Sequence, residues 1–412
     1  MHHKRNTLLT VFIGLVAISL IVTACQPPAP APVTAPITEA PAAPATEAPV
    51  APAPATEAPV VATEAPAAPA ALTPVRVGMT PFFDYQFWSV AKEFGWDKEL
   101  GLDLQFTWLT QSGPSIQALA NGSLDMVNTC VVCNFPFYES VPEMVDFLTV
   151  NQFKGFVVLG RQGQSKSYQE FLTELGDPEK AKVAAIEQMK GKKFPIYLAN
   201  YEPLLTAVLD QAGLKLSDVT TVNFADDEKA ALAAIGGEGD FYMGGLPSEI
   251  NLLMNHPDQF KLIGGSEILG PAGLWYSNIA STKTWLAANE ETALKIMAMS
   301  YRYNRYIQEQ RDTVLPIVLE AMNSHSGVAT DPEELKFIFD TFLEFRTYQQ
   351  DKETTYKPDS PLFWEQSAKY YVSKSKDLPA GADYLLTNPL NEWFDNFLKQ
   401  QALLDWVDAP LK

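Results

Sequence analysis

From Val75 onward, apolar and polar positions alternate in two rhythms that take turns along the chain. Val75-Arg76-Val77-Gly78 reads as a short strand. Phe87, Val90, Ala91 and Phe94 then fall at the i, i+3, i+4, i+7 spacing of a helix with one buried stripe, with Asp84 placed to cap it and Gly95 to end it. Leu102, Leu104, Phe106 and Trp108 alternate with Asp103, Gln105 and Thr107, the period of a half-buried strand. Pro114 suits a first helical turn and Gly122 the position past its end. Leu124 to Thr129 is strand-like again. The rhythm recurs with a strand over Lys193 to Leu198, a helix from Pro203 to Ala212 and a strand over Val219 to Phe224. A helix from Asp227 to Ile235 and a short strand at Phe241-Tyr242-Met243 follow. Strand, helix, strand in this order predicts parallel sheet covered by helices.

Two local sequences echo one another. Ala118-Leu119-Ala120 precedes Gly122-Ser123-Leu124-Asp125, and Ala231-Leu232-Ala233 precedes Gly237-Glu238-Gly239-Asp240. The echo predicts two related lobes. Extended runs at 145–160 and over Leu274 to Ala280 place the interlobe crossings near 158–162 and 270–274. Beyond about Thr284 the pattern is helical. Tyr301, Tyr303, Tyr306, Phe342, Phe345, Trp364 and Trp393 there read as packing of C-terminal helices against lobe 1.

The N-terminus changes the compartment. His2-His3-Lys4-Arg5 precedes an uncharged apolar run from Leu8 to Val22, shorter than the ~20 residues a comfortable span requires and suited to a secretory signal. Val22-Thr23-Ala24-Cys25 resembles a lipobox, with Cys25 as the lipidated residue; an uncleaved anchor is the alternative. Residues 26–74 are nearly all Ala, Pro, Thr, Glu and Val. Thr-Glu-Ala-Pro recurs from Thr38, Thr46, Thr56 and Thr63. Such a segment lacks the large apolar side chains that would offset the entropy of ordering, and reads as a solvated tether.

Charge narrows the partners. The net charge is −19, and losing Lys4 and Arg5 with the signal makes it −21, so nucleic acid is excluded for want of clustered cations. Eight Trp and fifteen Tyr supply a large core. Cys130 and Cys133 sit two residues apart after a predicted strand. They could form a disulfide, a redox pair, half of a metal site, or stay buried thiols. The four His residues give no second cluster, so neither metal nor cofactor is expected.

Four segments carry a family resemblance. They are Val90-Ala91-Lys92-Glu93-Phe94-Gly95-Trp96 with Glu99 to Leu104, Gly113-Pro114-Ser115 through Asp125, Met189-Lys190-Gly191-Lys192-Lys193, and Ala212-Gly213-Leu214-Lys215-Leu216-Ser217-Asp218-Val219. In order and spacing they resemble the ABC-transporter substrate-binding proteins for alkanesulfonates, taurine, nitrate and thiamine-pyrimidine precursors. The resemblance covers roughly 75–280 and implies an α/β, two-lobed type II periplasmic-binding fold, with two crossover strands and C-terminal helices on lobe 1. The implied organisation is signal 1–24, tether 25–74, lobe 1 at 75–160, lobe 2 at 161–272, and a return to lobe 1 at 273–412. It implies an extracytoplasmic, lipid-anchored monomer that is not an enzyme and delivers a small solute to a permease and its ATPase. A sensor lipoprotein and a pyrimidine-synthesis-like enzyme are the competing classes; the second shares only a Cys pair with this chain.

In open α/β sheets, ligands sit beyond the carboxyl ends of strands. That rule selects Phe82, Phe83, Asp84, Tyr85 and Trp88, then Ser112 and Gly113, Thr129 and Cys130, Asn200, Tyr201 and Glu202, and Gly244 and Gly245. Tyr85 and Trp88 are expected to stack on the ligand, and the glycine pairs to let backbone approach it. Carboxylates at Asp84 and Glu202, with no Arg or Lys in either loop, point to a flat neutral or cationic nitrogen-containing ligand. An alkanesulfonate- or nitrate-type anion is the alternative.

Overall fold

The computed structural model describes residues 71–109, 112–326, 329–374 and 388–411; the signal, the tether and Cys25 lie outside them. Eleven strands are placed among the described residues. They are β1 (Thr73–Met79), β2 (Leu102–Trp108), β3 (Met126–Thr129), β4 (Met144–Phe153), β5 (Val158–Arg161), β6 (Lys193–Ile196), β7 (Thr220–Asn223), β8 (Phe241–Tyr242), β9 (Phe260–Gly264), β10 (Trp275–Thr282) and β11 (Leu343–Glu344).

Lobe 1 is built on a six-stranded sheet in the order β11-β4-β10-β3-β1-β2. The predicted parallel pairing holds for β1 with β2 and with β3. The return strand β10 changes the rule: it runs antiparallel to both β3 and β4. Strand β2 is an edge strand and keeps the alternation read from sequence, with Leu102 and Leu104 buried and Gln105 and Thr107 exposed. Strand β4 is buried along nearly its whole length, because it lies between two neighbours and is covered on both faces.

Lobe 2 holds two smaller sheets: antiparallel β8-β5-β9, and β6 parallel to β7. The chain leaves the lobe 1 sheet after Phe153 and enters lobe 2 at Val158, ahead of the expected crossing. It returns between Gly264 and Trp275. The run Phe153 to Gly160 therefore splits into the ends of two strands rather than forming one.

The sequence echo is structural. In lobe 1 the Arg76 N–H donates to Asp125 Oδ2 (2.8 Å), and the Asp125 N–H donates back to the Arg76 carbonyl (2.8 Å). In lobe 2 the Lys193 N–H donates to Asp240 Oδ2 (2.9 Å), and the Asp240 N–H to the Lys193 carbonyl (2.8 Å). Each aspartate thus clips the strand that follows it to an earlier strand of its own lobe, β1 in lobe 1 and β6 in lobe 2.

Tyr301, Tyr303, Tyr306, Phe342, Phe345, Trp364 and Trp393 are all buried in the same core as β1, β2 and β4. Tyr301, Tyr303 and Tyr306 come from the helix Glu290–Glu309, which Asn304 ties to the sheet through Val150 (2.9 Å) and Arg346 (2.8 Å) carbonyls. One helix departs from the expected placement. Glu365–Lys374 carries Tyr370 and Tyr371 onto the core of lobe 2.

Candidate functional site

A cavity of about 630 Å³ is walled by both lobes and by that helix. Lobe 1 contributes Val132, Phe135 and Pro136 from the turn after β3; lobe 2 contributes Asn200, Tyr201, Pro203 and Leu204. The crossings supply Phe156 and Trp275, and the C-terminal helix supplies Tyr371 and Lys374. Its size suits a small organic molecule. Phe156 meets Trp275 edge to face (centroids 4.9 Å, planes at 76°), and Trp275 meets Tyr371 likewise (5.8 Å, 89°). Perpendicular rings of this kind present both faces and edges to whatever fills the space between them.

The turn Val132–Phe137 is fixed by a disulfide between Cys130 and Cys133, with Cα atoms 4.9 Å apart. The Cys133 N–H donates to the Cys130 carbonyl (3.0 Å), closing a 3₁₀ turn that aims Phe135 and Pro136 at the cavity. Of the alternatives left open by the spacing, the disulfide is the one formed. Among the described residues, no group of three or more His, Cys, Asp and Glu is gathered as a metal site would need.

Asn200 and Tyr201 reach the cavity, but not from a loop. The helix begins at Leu198, earlier than the Pro203 start read from sequence, because the Asn223 side chain accepts the Leu198 N–H (3.1 Å). Their side chains therefore project from its first turn. Glu202, on the same turn, is exposed and is not part of the wall.

The aromatic loop after β1 is corrected most. Trp88 is fully buried; it stacks on Phe87 (4.3 Å) and donates from Nε1 to Asn128 (3.0 Å). Tyr85 is 5% exposed and donates its hydroxyl to the Thr129 carbonyl. Neither offers a ring to a ligand here. The helix is short, Phe87–Glu93, with Lys92 and Glu93 exposed on its solvent side; Trp88 lies on the flank of the apolar stripe and widens the buried face. Phe83 packs against that core, while Phe82 is 46% exposed and off the wall.

Asp84 lies in a 3₁₀ turn and caps nothing. Its carboxylate accepts the Ser277 hydroxyl, and its carbonyl accepts the Asn151 amide (2.6 Å). Burial pushes its pKa up to about 6, an effect the Ser277 hydroxyl reduces without cancelling. Asp84 and Glu202 are thus not a facing pair: one is bonded into lobe 1 and the other is in solvent.

Thr129 and Cys130 are buried beneath the cavity. The Thr129 hydroxyl bonds to Asn134 Oδ1 (2.6 Å), and the Asn134 amide reaches Asp146 (3.0 Å). Gly113 sits at the start of the helix Ser112–Ala120, facing Phe137; the Ser112 side chain lies outside the described residues. Gly244 and Gly245 are glycine for a different reason from ligand approach. A Cβ on Gly244 would fall 2.1 Å from the Tyr242 hydroxyl, and one on Gly245 2.6 Å from the Tyr201 hydroxyl. Both tyrosines turn toward Asp227, which accepts from Tyr242 (2.7 Å) and from the Gly245 N–H (3.0 Å). Burial and the neighbouring Asp227 hold the Tyr201 phenol protonated well above its ordinary range.

Phe135, Phe156, Trp275, Tyr371 and Lys374 were not among the residues selected from sequence. Phe156 and Trp275 had a usable signal, since they border the predicted crossings. Tyr371 and Lys374 had none, because they arrive by long-range packing.

The family model described as NMT1/THI5 like matches residues 165–312. The segments at 189–193 and 212–219 fall inside that span, and those at 90–125 precede it. Solved structures agree on the fold. The periplasmic aliphatic sulphonate-binding protein of Escherichia coli is 14% identical with a TM-score of 0.56, over 78% of this chain and 99% of that one. A putative sulfonate ABC transporter periplasmic binding protein of Methylobacillus flagellatus is 16% identical with a TM-score of 0.57, over 81% and 96%. The periplasmic nitrate-binding protein of Synechocystis is 12% identical with a TM-score of 0.50, over 82% and 90%. None of the curated proteins compared matches the chain by sequence. The resemblance read from the four segments is borne out, and the chain has the periplasmic-binding-protein fold.

Proposed function

We propose that this chain is the solute-capturing protein of an ABC importer, exported, lipid-anchored through Cys25, and not an enzyme. It holds a small organic molecule with a flat or apolar body between its lobes and hands it to a permease. The observation that carries this reading is the cavity of about 630 Å³, whose wall takes aromatic side chains from both lobes, both crossings and the C-terminal helix. A site shared by two lobes links occupancy to closure, because only the closed state makes both sets of contacts. A sensor that uses the same capture step differs in its partner, and copurification with a permease separates the two.

The ligand's charge needs a new argument. The preference for a neutral or cationic ligand rested on Asp84 and Glu202, which do not line the cavity together. A second reading, an alkanesulfonate-type organic anion, is favoured by Lys374, the one charged side chain on the wall among the described residues. It is also favoured by relatives whose names give sulfonates and nitrate as ligands. A thermal-shift screen of heterocycles, amines, sulfonates and nitrate tests both. A ligand at ~100 times its Kd adds ~2.7 kcal/mol of stability. Stabilisation by nitrate alone would contradict an apolar-bodied ligand.

A further inference from the structure

The helix Glu365–Lys374 is fastened at both ends to different lobes. On the lobe 1 side, the Trp364 N–H donates to the Thr355 carbonyl (3.1 Å), Trp364 Nε1 to Asn391 (2.6 Å), and the Tyr276 hydroxyl to the Leu362 carbonyl (2.5 Å). On the lobe 2 side, the Tyr371 hydroxyl donates to the Ala272 carbonyl (3.1 Å), and Lys374 Nζ pairs with Asp210 Oδ2 at 3.1 Å. Between these anchors, Phe153, Phe156, Trp275 and Tyr371 meet edge to face in series, so the helix is coupled by ring contacts to both crossings. It also lines the cavity with Tyr371 and Lys374.

We propose that this helix is a clasp between the lobes, and that Lys374 determines specificity by exchanging Asp210 for an anionic group on a ligand seated against Trp275 and Tyr371. The proposal rests on the reading of the cavity as the solute site. The Lys374–Asp210 pair is suited to exchange: its side chains are 55% and 37% exposed, and pairs so open to water contribute little. A charge-assisted bond from the same ammonium to a ligand walled by aromatic rings is stronger, since water no longer competes for it. Asp210 ends the helix Leu198–Asp210 that carries Asn200 and Tyr201. Release of Lys374 therefore acts on the helix that forms the opposite wall.

The test uses two probes of nearly equal shape, benzenesulfonate and neutral benzenesulfonamide, titrated calorimetrically into wild type, Lys374→Met, Asp210→Asn and Trp275→Ala. Lys374→Met should weaken benzenesulfonate about tenfold, the size of one lost charged hydrogen bond. Asp210→Asn, which frees the ammonium, should strengthen it severalfold. Both variants should leave benzenesulfonamide within about twofold of wild type, since a neutral probe makes no charge-assisted bond, and both should unfold at the wild-type temperature in the absence of probe. The clasp is overturned if the two charge variants shift benzenesulfonate in the same direction, if they shift both probes equally, or if neither probe binds wild type. The reading of the cavity fails separately, if Trp275→Ala leaves the binding of both probes unchanged.

Discussion

The two lobes share one clip and differ in almost everything packed around it. Asp125 and Asp240 each exchange hydrogen bonds with the backbone of an earlier strand, β1 and β6, at distances that agree within 0.1 Å between lobes. Around the first, a six-stranded sheet is buried under Trp, Tyr and Phe side chains. Around the second, two short sheets are buried under Ile, Leu, Val and Ala, with Phe194 stacked on Phe241 (5.5 Å). The scaffold is repeated and the filling is not. The cavity, moreover, is walled largely by what has no counterpart in the other lobe: the disulfide-closed turn, the two crossings and the C-terminal helix.

The comparison breaks most visibly at the clips. Asp125 is 5% exposed and also takes Arg76 Nε (3.0 Å), so Asp125→Ala removes the acceptor of the Arg76 N–H and of its guanidinium, which keeps the Gly122 carbonyl and solvent. It should cost ~2–3 kcal/mol in urea unfolding, the size of lost charge-assisted hydrogen bonds to a buried carboxylate. Asp240, whose side chain is 37% exposed, lets water replace it, and Asp240→Ala should cost only ~1 kcal/mol. Equal costs would mean that burial does not distinguish the lobes.

The Asp84 carboxyl, in the 3₁₀ turn after β1, sharpens the contrast through pH. Burial lets Asp84 hold its proton up to about pH 6 in the folded state, well above the ordinary carboxylate range. Its raised pKa favours folding fully below the unfolded value, and that contribution fades as pH rises through 6. Wild type should therefore lose ~2–3 kcal/mol relative to Asp84→Asn between pH 4 and pH 7, as the buried carboxyl is forced to ionise. Parallel stability curves for the two proteins would refute the burial of this carboxyl. Glu202, exposed on the opposite lobe, should behave differently: Glu202→Gln should change stability by less than ~0.5 kcal/mol. A solute affinity lowered tenfold by that substitution would return Glu202 to the site.

Local patterns announced the scaffold well. The alternation of Leu102 to Trp108, the Pro114–Gly122 punctuation and the Asp125/Asp240 echo all describe backbone decisions taken within a few residues. Trp88 misled because it flanks the apolar stripe, and in a helix of two turns the spacing alone does not show that packing widens the buried face to include it. The early start at Leu198 escaped because its cap, Asn223, comes from a strand 25 residues away. The antiparallel return of β10 and the reach of Tyr371 into lobe 2 are long-range choices made by packing, which a period of 2 or 3.6 does not encode.

Calorimetric titration of Trp275→Ala against wild type, with the best solute from the thermal-shift screen, tests the central claim most directly. Trp275 belongs to the second crossing, touches Phe156 and Tyr371, and lies on the cavity wall, so removing its ring removes contact surface from the cavity. The account predicts an affinity lower by ~2 kcal/mol or more, the loss expected for a buried aromatic anchor, with a folded variant. A solute bound equally by both proteins would place the binding site somewhere other than between the lobes.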